Sequence, residues 1–236
     1  MTTRIALLLI LVFLPLSFIF AQKDSLSSRY SNLPPAIVKP SRDFLMVELG
    51  YNNWITKPDS IKTKSIGYVF KTYLCYDFPI KKTKFSFATG LGVDVNVVYL
   101  DNQVIANNDT VSAAHIVASS EYKRYKFVTT YLQAPFELRY FSNPHNRNNG
   151  WKAALGIEVG TLLGAHTKGL RSVGGTNIKD KENTKRYLSP WNFAGTARVG
   201  YGNFTLFASY NFTNVFKDAN GPVVTPMSVG LCLTGL

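Results

Sequence analysis

The decisive stretch is YLQAPFELRYF, residues 131–141. Its even positions read Leu132, Ala134, Phe136, Leu138 and Tyr140. Its odd positions read Tyr131, Gln133, Pro135, Glu137, Arg139 and Phe141. Side chains on a strand point alternately to two faces, so this reads as a strand with one apolar and one polar side. A barrel in water would bury the Leu/Phe side. A barrel in lipid would turn that side outward, and the whole reading of the chain follows from which it is.

The same alternation recurs on both sides of this stretch. Alternating runs cover 43–54, 65–78, 84–100, 121–141, 150–166, 190–201, 203–213 and 225–235, which gives eight expected strands. No sustained helical period or capped helix follows residue 42. Some breaks are short: PIKKT at 79–83, SNPHNRNNG at 142–150, and the Gly202-Asn203 hairpin pair. The other breaks, 55–64, 102–120, 167–189 and 214–224, read as long loops. Short turns at one end and long loops at the other are the asymmetry of transmembrane barrels. Pro135 lacks a ladder donor and is expected to mark a bulge.

Volume decides the orientation. One face of the runs collects Leu49, Tyr51, Phe70, Phe78, Phe87, Leu91, Phe136, Leu155, Ile157, Phe193, Phe204, Leu206 and similar residues. The other collects glycines, hydroxyls and charges. An eight-stranded barrel has an interior just wide enough for its own side chains, and overpacking costs free energy at each misfit. The bulky set is too large for that space, so it is expected to face lipid, the solvent that accepts it. The small and charged set then fills the lumen. Its expected polar network is Glu48, Lys71, Asp77, Asp94, Glu137, Arg139, Glu158 and Arg198, since buried charges are tolerable when paired. Trp54, Tyr68, Tyr99, Tyr140, Trp151, Trp191 and Tyr201 fall near strand ends and are expected to form aromatic girdles. The expected fold is therefore an all-β, eight-stranded antiparallel up-and-down transmembrane barrel over residues 43–236.

The start of the chain fits export. MTTRIALLLILVFLPLSFIFAQ has one early cation, Arg4, then an apolar run from Ile5 to Phe20 broken by Pro15, and the small residue Ala21. Residues 1–21 read as a cleaved signal peptide, with an uncleaved anchor as the alternative. Residues 22–42 are polar and hold Pro34, Pro35 and Pro40, and they read as a flexible periplasmic tail.

The 236 residues are 46% hydrophobic, 14% aromatic and only 17% charged, with a formal net charge of +12. That charge favours an anionic partner, and export argues against nucleic acid. Lys57, Lys62, Lys64, Lys123, Arg124, Lys126, Lys168, Arg171, Lys179, Lys181, Lys185 and Arg186 lie in or beside the long loops. At an outer leaflet they would meet lipopolysaccharide phosphates, with simple solvation as the bland alternative. Cys75 and Cys232 fall on strands separated by one neighbour, a poor distance for a bridge. Two buried thiols are expected.

Catalytic patterns are weak. His115, His145 and His166 are scattered, and neither HExxH nor GxSxG occurs. GLGVD at 90–94 lacks the third Gly and a following helix of a nucleotide loop. No enzymatic activity, cofactor or metal is expected.

The segments DFLMVELGYNNW at 43–54, YDFPIKKTKFSFATGLGV at 76–93, YLQAPFELRYF, and WKAALGIEVGTLLGAHTKG at 151–169 resemble the outer-membrane β-barrel domain family of Bacteroidota-type bacteria. PorT-like proteins belong to that broad group. The resemblance implies a small barrel in the bacterial outer membrane, in contact with its lipids and lipopolysaccharide. Three roles are open: a structural or interaction protein working through basic extracellular loops, a PorT-like component assisting secretion or envelope assembly, and a lipid-modifying barrel enzyme.

Overall fold

A computed structural model describes residues 44–64, 67–106, 113–217 and 220–235. The proposed signal peptide and tail lie outside the described residues. Among the described residues eleven strands follow in chain order: β1 Leu45–Thr56, β2 Tyr68–Pro79, β3 Phe85–Leu100, β4 Gln103–Ala106, β5 His115–Ala118, β6 Tyr122–Phe141, β7 Trp151–Val173, β8 Thr176–Asn183, β9 Trp191–Tyr201, β10 Phe204–Asn211 and β11 Thr225–Thr234.

Eight of them close a ring in the order β1-β2-β3-β6-β7-β9-β10-β11, every pair antiparallel, with β11 returning to β1. The ring removes every free edge within its height, which is what a strand-built wall in lipid requires. Its stagger can be read from the register. Partners followed once round from Trp151 pass through Tyr201, Phe204, Leu233, Val47, Thr72, Val93 and Leu132. They return to β7 at Thr161, ten residues further along. For eight strands that stagger tilts the strands by about 40–45°.

The alternation of the sequence is the alternation of the wall. Leu155 is 69% exposed and Phe204 65%, while Glu48, Asp77 and Glu158 are 0% exposed. Leu91, Phe87, Leu138, Ile157, Phe193, Leu206 and Leu231 continue the exposed apolar belt around the ring. Near the short-turn end Trp151 meets Tyr201 edge-to-face at 5.8 Å, and Phe85 meets Tyr140 at 5.4 Å. Toward the other end Tyr68 stands opposite Tyr51, and Trp191 is exposed.

Three expectations need correction. The loops at 102–120 and 167–189 are not structureless: β4 pairs with β5, and β7 runs on past residue 166 to pair with β8. The β7–β8 link is a tight turn in which Gly174 and Gly175 take φ of 56° and 82°, the two-residue geometry that matches strand twist and favours glycine. Pro135 sits in unbroken register opposite Glu158, and the ladder shifts instead at Thr130/Tyr131. There β7 carries the extra residue, and its buried positions change from Glu158 to Ala165 and Thr167. Trp54, expected in a girdle, is 2% exposed and points inward. It packs at 6.1 Å from Phe127 and 6.4 Å from Phe216. A ring that large is better buried against loop side chains than left at the wet mouth of the barrel.

Candidate functional site

Two layers fill the inside of the barrel. The first is the polar network, and its core is set by cross-strand register. Lys71 on β2 lies directly between Glu48 on β1 and Asp94 on β3, a cation flanked by two carboxylates. Lys71 Nζ also donates to Glu158 Oε2 at 2.7 Å across the lumen. Arg198 Nε donates to Glu48 Oε1 at 2.6 Å. The same guanidinium bonds Glu137 and lies 3.6 Å from Glu158 Oε1. Arg139 donates to Glu137 Oε2 at 2.8 Å and to Asp77 Oδ1 at 3.0 Å. All eight residues of the expected network are thus buried, and each sits beside an opposite charge. An opposite charge beside each buried one offsets part of the desolvation that the narrow space imposes.

Two cations in this layer lie outside the expected set. Arg147 comes from the turn between β6 and β7, folds into the barrel mouth, bonds Asp77, and stacks its guanidinium 4.4 Å over the Phe141 ring. A single Arg in an Asn-rich turn carries no periodicity, so nothing in the sequence aims it inward. Lys152 donates to Thr234 Oγ1 at 3.1 Å. It stands in phase with Gly156 and Glu158, so extending the alternation of β7 by one step would have found it. Tyr73 adds a neutral link, donating to Gln133 Oε1 at 2.6 Å. Cys75 and Cys232 are both free and buried beside Met46 and Phe207.

The second layer is an apolar plug at the long-loop end. Trp54, Val98, Leu100 and Phe127 come from the barrel strands, and Ile61, Tyr187, Leu188, Val215 and Phe216 come from the loops. Phe127 and Phe216 stack at 6.2 Å, and Leu188 bridges to Phe216 through the backbone. Loop residues therefore fold down into the barrel mouth and close it with hydrocarbon.

The three histidines stand apart, His115 on β5, His145 in the β6–β7 turn and His166 on β7. Among the described residues no group of three His, Cys, Asp or Glu side chains is placed to hold a metal ion.

A ring of tilted strands with an apolar outer belt, aromatic borders and a filled interior defines a small transmembrane β-barrel. The family described as "Outer membrane protein beta-barrel domain" matches residues 20–217, and the chain belongs to that family. Its place is the bacterial outer membrane. Among solved structures, the chain is similar to Ail, the attachment invasion locus protein of Yersinia pestis. The two are 11% identical, with 83% of this chain and 98% of that chain covered and a TM-score of 0.35. A likeness at that level says nothing about role. No curated protein matches the chain.

Proposed function

We propose that the protein is a structural or interaction protein of the outer membrane that acts through its basic outer loops, and neither conducts nor catalyses. The observation that carries this reading is the double closure of the lumen. Charged side chains bridge it from wall to wall, and above them Trp54, Phe127 and Phe216 stack across the mouth. An ion crossing it would have to break desolvated ion pairs and then pass a dry aromatic layer, each a barrier of several kcal/mol. With the interior occupied, specificity belongs to the surface outside the membrane.

Planar-bilayer recording of the purified barrel tests the reading. Sporadic or absent conductance is expected, and large, stable, voltage-independent steps would overturn it. A finer reading, a PorT-like role, is supported by the resemblance of DFLMVELGYNNW at 43–54 and YLQAPFELRYF at 131–141 to that group. It leads to a secretion or assembly role with envelope proteins as partners. A deletion strain with normal secretion would remove that version.

A further inference from the structure

Past the spanning part of the barrel, β6, β7 and β8 continue outward as a sheet, which the end of β3 joins at Tyr99 opposite Lys126 and Leu100 opposite Tyr125. Its two faces differ in charge. Buried Tyr125, Phe127, Ala165 and Thr167 mark the inner face. On that side Arg171 bonds Glu121 and lies 2.8 Å from Asp180, and Thr167 stands opposite Glu182. The outer face takes the alternate positions. There Lys126 stands directly opposite Lys168, and Lys168 directly opposite Lys181. Beyond them, Arg124 and Lys179 flank Leu170 from either side. Among the described residues none of these five cations forms an ion pair.

That arrangement is costly when bare. Directly opposed residues stand about 4.5–5.5 Å apart, and like charges so placed repel. His166 lies on the same outer face, two positions before Lys168. Burial and the nearby Lys181, Lys126 and Lys168 ammoniums hold its imidazole below the usual histidine range. The three lysines thus converge on one spot with no protein carboxylate between them.

The height of the row narrows the counter-charge. Trp191, at the outer border of the apolar belt, pairs with Thr161. Lys168 lies further along β7, beyond the shift at Thr130/Tyr131. At about 3.3 Å per residue and about 40° of tilt, the row stands roughly 10–15 Å outside the belt. A phospholipid headgroup layer reaches only about 5–7 Å beyond the hydrocarbon. Phosphates carried on a sugar headgroup stand taller, and lysine stems can bend toward them along the sheet.

We propose that Lys126, Lys168 and Lys181 clamp the phosphorylated sugar headgroup of lipopolysaccharide, whose phosphates supply the counter-charge the sheet lacks. Each ammonium donates charge-assisted hydrogen bonds to phosphate oxygens, while Arg124 and Lys179 extend the contact outward. The proposal rests on the reading of the outer surface as the working part of the protein, and names its partner.

The test uses the full chain folded in zwitterionic micelles, with fluorescently labelled lipopolysaccharide titrated by anisotropy. The variant is K126Q/K168Q/K181Q. The control is K81Q/K82Q/K84Q, which removes the same charge from the β2–β3 turn at the other end. Heat-modifiable gel migration shows that each is folded. The row variant is expected to bind at least tenfold more weakly and the control within twofold. Dephosphorylated lipopolysaccharide is expected to lose a similar factor on the parent, and phosphatidylglycerol to compete poorly. Equal binding by row variant and parent, equal losses in both triples, indifference to dephosphorylation, or full competition by phosphatidylglycerol would each overturn the clamp. If the triple does not fold, K168Q alone serves, with about a threefold loss expected and none contradicting. The conductance result is untouched by any of these outcomes, so the two readings fall separately.

Discussion

At the scale of single residues, Arg198 has the most to lose. Among the described residues it alone touches all three of Glu48, Glu137 and Glu158. Arg198→Met keeps the bulk but takes one cation from three buried carboxylates and leaves Glu48 without its ion-pair partner, so a loss of about 3–5 kcal/mol is expected. Urea unfolding from lipid vesicles would show it as a lowered midpoint. Arg171→Gln, on an exposed pair, is expected to change the midpoint little. The three tryptophans offer a second reading, because Trp54 is buried whereas Trp151 is 63% and Trp191 55% exposed. In single-Trp variants, lipids with brominated acyl chains are expected to quench Trp151 and Trp191 and to spare Trp54. Strong quenching of Trp54 would contradict its place in the plug.

At the scale of elements, period-two alternation carried the eight barrel strands, because each has one face in lipid and one in a tight lumen. It failed wherever that asymmetry stops. The outer part of β7 was hidden by the shift at Thr130/Tyr131, after which buried positions change phase and the pattern reads as broken. β8, TNIKDKEN, is exposed along nearly its whole length, so no alternation in apolar character marks it. Trp54 misled because its position near a strand end matches a girdle, and only the loop residues Phe216, Tyr187 and Leu188 reveal the plug. Those contacts are distant in sequence and carry no local signal. The lumen set was readable where it lies on strands, and Arg147 was not, since a turn imposes no phase. A consequence concerns the β7–β8 hairpin, which stands outside the ring. Replacing 169–180 with a two-residue Asn-Gly turn is expected to leave heat-modifiable migration intact, while replacing 152–160 with the same two residues abolishes it.

At the scale of the whole molecule, one inequality of volume governs the architecture. The lumen holds paired charges and small residues, the mouth holds loop-borne aromatics, and the remaining bulk has nowhere to go but outward. Leu155→Arg, in the middle of the belt, is therefore expected to cost about 2–4 kcal/mol in vesicles, where a water-exposed site would tolerate it. The central claim is the direction of the two faces, and a nitroxide scan of β7 in lipid vesicles tests it most directly. Spin labels introduced one at a time from Ala153 to Thr161 are read for collision with oxygen, which concentrates in acyl chains. Oxygen accessibility is predicted to peak at Leu155, Ile157 and Val159 and to drop at Gly156, Glu158 and Gly160. The opposite phase, or no alternation, would contradict the account.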